Sequence, residues 1–178
     1  MSHIPNQIHQ TWNSALLPEQ GGTLHAAFHV ATDGMLLEAR NAERVALAVT
    51  VSRGSLVVEA PEDHIVLDVE DTYGVQFGGV HDLHITFGDF GTRIYLDGYQ
   101  AFACATNICP SKYAQAGVFH CANEAHIGVE RLECFSEAWT SERIQGSVPV
   151  PQPDIEFAAA YLADKDVKTL HGVTDGTI

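Results

Sequence analysis

The chain has 178 residues, of which 46% are hydrophobic and 18% are charged. This composition is typical of one folded globular domain and excludes a disordered chain. Nine basic residues against 23 acidic ones give a net charge of −14, which argues against nucleic acid and anionic membranes as partners. No apolar run of the sequence approaches the ~20 residues that a membrane-spanning helix needs.

The first half of the chain alternates between apolar and polar residues with a period of two, which predicts β-strands. In residues 23–30, Leu24, Ala26 and Phe28 would share one face, and His25 and His29 would share the other. The next strands are separated by turn residues such as Arg53-Gly54. They are predicted at residues 45–51, 55–59 and 64–69.

The second half continues the same pattern, with turn clusters at Gly88–Gly91 and Gly98. Its strands are predicted at residues 82–87, 92–97, 125–129 and 131–137. Residues 103–123 show no clear strand pattern, and we expect a long loop there, a feature that is often functional. Thr140–Ile144 predicts one capped helical turn. Many short strands with little helix predict an antiparallel β-sandwich or barrel.

The C-terminal part of the sequence differs in composition from the rest. Residues 146–153 contain three prolines, which predicts an extended connector after a sandwich over residues 1–145. Residues 154–178 are expected either to return to this sandwich as a strand or to begin a second, similar one. The second option rests on an echo, because Leu170–Ile178 and Leu16–Leu24 both run from Leu to Gly-Thr-aliphatic. We therefore expect an N-terminal portion of a larger protein.

Three motifs in a fixed order resemble a known family. The first is Gly22-Thr-Leu-His-Ala-Ala-Phe28, and the second is His81–Phe87 followed by the hairpin Thr92-Arg-Ile-Tyr-Leu-Asp-Gly98. The third runs from His126-Ile-Gly128 to Ala138–Ile144. Together they resemble the laminin-G-like, concanavalin A-like jelly-roll domains that are appended to bacterial sialidases and other glycoside hydrolases. The resemblance covers residues 6–145 and implies a two-sheet antiparallel β-sandwich.

The resemblance implies a carbohydrate-recognition or structural accessory domain of a glycoside hydrolase, sialidase-like or fructan-active. Its partners would be carbohydrate and the catalytic domain of the same parent protein, with no role for nucleic acid or membrane. The chain itself is expected to be non-catalytic, because neither sialidase Asp-box repeats nor a serine-hydrolase elbow occurs in it. A laminin-G-type protein-interaction module is an alternative.

A second alternative is a glycoside hydrolase in its own right, using Asp68 and Glu70. Carboxylates at alternate strand positions can face one cleft, as retaining glycosidases require. The jelly-roll glucanases, however, carry a carboxylate two residues before this pair, and Val66 stands there. One essential group is therefore missing from this pattern.

Sugar sites combine an aromatic platform with polar and charged groups. Arg93 would lie on the same strand face as Tyr95, so we expect a binding site on that face, with a solvated outer face as the alternative. Trp12 and Trp139 are expected to pack rather than to bind. The candidate carbohydrate-binding residues are Tyr73, Arg93, Tyr95, Tyr99 and Tyr113.

No cofactor is required by any motif. The cysteine spacings lack the close pairs of a zinc site, whereas the excess of acidic residues would suit calcium, without a ligand set that can be named. The N-terminus has neither a basic region nor an apolar one. We therefore expect a cytoplasmic location unless a signal has been removed.

Overall fold

The computed structural model describes residues 11–30, 33–42, 44–68, 79–121 and 127–148. The chain divides after Val148 into two units, and every described residue lies in the first of them. Residues 146–148 of the predicted connector are described, and the first two of them end a short helix, Ser141–Ser147. The rest of the predicted connector and the predicted tail strand lie outside the described residues. Their boundaries stay predictions.

Within the described residues the chain forms eleven strands and two short helices. The helices are α1 (Pro110–Tyr113) and α2 (Ser141–Ser147). The strands are β1 (Thr11–Asn13), β2 (Gly21–Val30), β3 (Gly34–Arg40), β4 (Val45–Ser52), β5 (Ser55–Ala60), β6 (Asp63–Asp68), β7 (Val80–Gly88), β8 (Gly91–Leu96), β9 (Tyr99–Cys104), β10 (Ala116–Cys121) and β11 (Ile127–Phe135).

The strands form two sheets. A six-stranded sheet has the order β1-β10-β3-β4-β5-β6, and a five-stranded sheet has the order β11-β2-β7-β8-β9. Every neighbouring pair in both sheets is antiparallel. The predicted two-sheet antiparallel β-sandwich is therefore confirmed.

The core lies where apolar side chains of both sheets meet. On β2 it takes Leu24, Ala26 and Phe28, the residues whose alternation predicted the strand. Their partners in register on β7 include Ile85 and Leu83, which are also buried. Full burial of each large apolar side chain contributes about 1.5–3 kcal/mol, so this alternating pattern accounts for much of the stability of the sandwich.

Two local predictions change in the structure, and a third is confirmed. The two strands expected over 125–137 are one strand, β11, in which a bulge at Glu130 shifts the register. The stretch 103–123 was expected to lack strands, but it contains α1 and β10. Only Phe119 of β10 is buried, so this strand carries no alternating pattern. The predicted capped turn is confirmed as α2, because the Arg143 amide donates to Thr140 Oγ1.

Candidate functional site

The outer face of the six-stranded sheet is open to solvent over the described strands. Residues directly opposite each other in an antiparallel pair share a face, and here His120 lies opposite Glu38 while Val118 lies opposite Arg40. The side chains of this open face are exposed or half-buried. They are Glu38, Arg40, Thr50, Val57, Glu59, His64, Val66, Val118 and His120.

A groove lies at one edge of the open face, where β1, β10 and the end of β3 meet. Trp12 is buried and forms part of the groove's lining, beside Gly117. A Cβ atom at Gly117 would lie 2.2 Å from the Arg40 carbonyl oxygen and 2.6 Å from the Trp12 ring. Glycine is therefore required there for the strands to approach. The polar lining comes from Thr11, Asn13, Arg40, Asn41 and His120.

The groove presents hydrogen-bond donors that the protein does not fully use. The Arg40 guanidinium lies 3.6 Å from the Glu38 carboxylate and is half exposed, so this pair is a loose one. Asn13 Oδ1 accepts from the amides of Ala15 and Leu16 at 2.9 Å, which leaves the NH2 group of its side chain to donate. A guanidinium, an imidazole and amides in one groove can bind hydroxyl or carboxylate oxygens.

The outer face of the five-stranded sheet is different, because the segment Glu137–Ser147 packs over it. We call this segment the cover. Thr23 Oγ1 donates to the Glu137 carbonyl at 2.8 Å and accepts from the Trp139 amide at 2.9 Å. Tyr95 Oη and Ser141 Oγ are hydrogen-bonded at 3.0 Å, and Ile144 is fully buried. Side chains that a strand directs outward are thus enclosed.

A charged cluster lies on this covered face. His25 is 6% exposed, and its ring donates from Nε2 to Asp82 at 2.7 Å and from Nδ1 to Glu133 at 2.9 Å. Burial alone would lower the pKa of His25, but the two carboxylates outweigh it and the pKa is raised. Burial likewise opposes ionisation of Asp82, and the bond to His25 reverses this effect, so the pKa of that carboxyl is lowered.

His84 lies against this pair and has the opposite chemistry. Its ring stacks on His25 at 4.2 Å between centroids and 12° between planes. Burial, followed by the charge of His25, lowers the pKa of His84 to about 4. The two stacked rings therefore differ in their affinity for a proton: His25 holds its proton to a higher pH than a free imidazole, and His84 loses its proton at a lower one.

No group of three or more His, Cys, Asp or Glu side chains that could hold a metal ion occurs among the described residues. The His25 cluster brings only one histidine against its two carboxylates, and both ring nitrogens are already used by them. Over the same ranges no helix is long and apolar enough to cross a membrane.

The structure does not bring together the four predicted sugar-binding residues that it describes. Arg93 is exposed, with its guanidinium 4.3 Å from the centre of the Phe90 ring. Tyr95 shares that strand face as expected, but it is 0% exposed because the cover packs on it. Its ring therefore offers no platform to a ligand. Tyr99 is 55% exposed, but it lies opposite the buried Leu96 and so on the other face from Arg93.

The remaining predicted residues lie elsewhere. Tyr113 is on α1, where its hydroxyl donates to Glu62 at 3.3 Å on the β5–β6 turn. Burial and the nearby Glu62 raise the pKa of Tyr113 to about 12, so it stays neutral. Tyr73, Glu70 and the side chain of Asp68 lie outside the described residues. The carboxylate pair considered for catalysis stays a prediction.

The groove residues were missed in the sequence, since Arg40 and His120 are 80 positions apart and neither belongs to a motif. Only the pairing of β10 with β3 brings them to one surface. Without sequences of relatives, no signal in a single chain links two such positions.

Comparison with known proteins gives no match to a family of sequences and none to a curated protein. Solved structures do match. The sialidase of Trypanosoma rangeli aligns at 13% identity with a TM-score of 0.53, over 71% of this chain and 22% of that one. The binding domain of botulinum neurotoxin serotype D aligns at 9% identity with a TM-score of 0.56, over 79% of this chain and 40% of that one. Galectin LEC-6 of Caenorhabditis elegans aligns at 9% identity with a TM-score of 0.52, over 72% of this chain and 89% of that one.

At these identities the likeness establishes the fold. The chain is a two-sheet antiparallel jelly-roll β-sandwich, and its narrower assignment as concanavalin A-like stays a prediction. It spans about a fifth of the length of the sialidase that it matches. The narrower assignment to laminin-G-like domains stays a prediction.

Proposed function

We propose that this domain recognises carbohydrate and that the groove between β1, β10 and β3 is its binding site. The observation that carries the proposal is the open groove, in which the polar side chains of Arg40 and His120 lie together on one side of a jelly-roll sandwich. The likeness to a sialidase, to a toxin binding domain and to a galectin supports the class of ligand.

The chemistry of the groove suits a sugar. A saccharide presents several hydroxyl groups on a rigid ring, and each hydroxyl that loses water needs a partner in the site. The Arg40 guanidinium supplies a planar fork of donors, and a hydrogen bond from a charged donor is worth about 1.5–3 kcal/mol. His120 can donate and accept, and the amides of Asn13 and Asn41 extend the lining.

Arg93 is the site favoured by the sequence and remains the second proposed position. Its guanidinium is exposed beside Phe90, whose ring is 38% exposed. An arginine and an aromatic ring on a sheet face can hold a sugar. The groove is preferred because several polar side chains line it, whereas the aromatic residue on the strand face of Arg93, Tyr95, is buried and cannot contact a ligand.

We further propose that the domain is a non-catalytic accessory module of a glycoside hydrolase, sialidase-like or fructan-active, whose catalytic domain is its partner. The support is the sequence resemblance together with a structural match that spans only 22% of a sialidase. A binding module of this kind raises the local concentration of an attached catalytic domain at its substrate.

A glycan array probed with the full chain tests the proposal. Arg40→Ala and Arg93→Ala are matched variants, since each removes one exposed guanidinium from one sheet. We expect Arg40→Ala to weaken binding to the best glycan about tenfold to a hundredfold, the loss of one or two charge-assisted hydrogen bonds. Arg93→Ala should bind as the wild type does.

Two outcomes would decide against the groove. If Arg93→Ala abolishes binding and Arg40→Ala does not, the site is on the five-stranded sheet. If no glycan binds, carbohydrate recognition is wrong, and a strong protein partner in a pull-down would favour an interaction module.

A further inference from the structure

His84 is enclosed between the sheet and the cover. Its ring stacks on His25 on one side and lies 5.8 Å from the Trp139 ring of the cover. The side chain is 1% exposed, and among the described residues neither ring nitrogen has a hydrogen-bond partner. The Thr86 hydroxyl and the Trp139 indole nitrogen are also buried without a partner. Buried polar groups are normally paired, so this interface is incompletely satisfied while it is closed.

The charges around His84 are already committed to one another. The two carboxylates of the cluster, Asp82 on the same strand β7 and Glu133 on β11, are both bound to His25. On the cover, Arg143 lies 4.1 Å over the Trp139 ring and pairs with Glu137 at 2.8 Å. The titratable and charged groups that face this region are His25 from β2, Asp82 from β7, Arg93 and Tyr95 from β8, Arg131 and Glu133 from β11, and Glu137 and Arg143 from the cover.

Protonation of His84 is therefore unfavourable in the closed form, in which the cover packs on the sheet. An imidazolium carries two N–H donors, and both would be buried without an acceptor. The positive ring would also stack on the positive ring of His25, and the attraction of the Asp82 carboxylate does not outweigh burial and this repulsion. If the cover moved away, water would reach the ring and would remove most of this cost.

We propose that the segment Glu137–Ser147 is an acid-sensitive flap, which protonation of His84 releases from the outer face of the five-stranded sheet.

The cover is the part that would move. His84 lies on β7, which is hydrogen-bonded to β2 on one side and to β8 on the other. The cover is joined to the sheet through the bonds at Thr23, the bond between Tyr95 and Ser141, and the buried side chain of Ile144. Burial lowers the pKa of His84 from its usual 6.5 to about 4 in the closed form. Release should therefore increase as the pH falls from about 6.5 towards 4. It would expose Tyr95 and the histidine pair.

Hydrogen exchange at single amides tests this in the full chain. The Trp139 amide reports docking directly, because it donates to Thr23 Oγ1 on the sheet. Between pH 7 and pH values below about 4, its protection, corrected for the intrinsic rate, should fall by up to about two orders of magnitude. Amides in the centres of β2 and β7 should keep their protection.

Two variants make the test specific. His84→Phe keeps a ring of similar shape that cannot take a proton, so the acid-dependent loss of protection at Trp139 should disappear. His64→Phe on the open face is the matched control and should behave as the wild type does. The proposal is wrong if His84→Phe still loses protection in acid. It is also wrong if Trp139 stays protected until the whole sandwich unfolds.

Discussion

The two outer faces of this sandwich carry similar polar side chains and use them differently. On the open face, His64 pairs with Glu59 at 2.9 Å while both side chains are more than half exposed. On the covered face, His25 makes the same kind of contact with Asp82, but the two side chains are 8% and 14% exposed. Burial is the difference, because water screens the first pair and is excluded from the second.

This difference assigns different roles to the faces. Exposed polar groups such as Arg40 and His120 remain available to a ligand, which is why the proposed binding site is on the open face. On the covered face, by contrast, His25, Asp82 and Glu133 pair with one another across three strands of the sheet. Their titration is coupled to stability, because a buried charge that loses its partner is costly.

Removing one histidine from each face should give the largest contrast. His25→Ala leaves the Asp82 carboxylate enclosed without its partner, and we expect a loss of about 3 kcal/mol in the free energy of unfolding. His64→Ala breaks only a solvated pair and should cost about 0.5 kcal/mol or less. Urea denaturation of both variants measures the difference. Equal losses would show that the cover does not exclude water from the His25 cluster.

The buried titratable groups of the covered face should make the free energy of unfolding depend on pH both above and below neutrality. The raised pKa of His25 means that its contribution is complete below its unfolded-state pKa of about 6.5 and is lost as pH rises through the folded-state value. His84 has a lowered pKa, so its contribution is complete above about 6.5 and is lost as the pH falls towards 4. Asp82, also lowered, adds to the loss in acid.

Two variants separate these effects when the free energy of unfolding is measured from pH 4 to pH 9. His25→Ala should reduce the loss of stability on the alkaline limb, above neutral pH, and His84→Phe should reduce the loss on the acidic limb, below it. The effect is smaller than that of deleting His25, because a change of pH weakens the contact without emptying the site. An unchanged alkaline limb in His25→Ala would mean that other groups control it.

Among the variants of the covered face, the smallest expected loss of stability is at the cap of the cover. Thr140 Oγ1 accepts from the Arg143 amide at the start of α2, and Thr140→Ala should cost about 1 kcal/mol. Ser147→Ala at the other end of α2 is the control, since its hydroxyl donates only to the Ile144 carbonyl. Thermal unfolding followed by circular dichroism measures both. If Thr140→Ala has no effect, the cover contributes little to the stability of the sandwich.

Much of the fold could be predicted from the alternation of residues. Leu24, Ala26 and Phe28 predicted a strand and its inward face, and the structure places all three in the core. Alternation did not predict the strands in which buried and exposed residues do not alternate. In β10 only Phe119 is buried, and β9 has no fully buried residue, so neither strand could be recognised from its own sequence.

The sequence by itself determined most of the strands, the hairpin at Asp97-Gly98 and the capped start of α2, because each depends on residues close together in the chain. Tertiary structure decided everything that depends on distant segments. Tyr95 was predicted outward and lies outward, yet it is buried, since a segment more than 40 residues later covers it. Arg40 and His120 meet only because β10 pairs with β3. Local patterns set the direction of a side chain, but only the packing of other segments sets whether water reaches it.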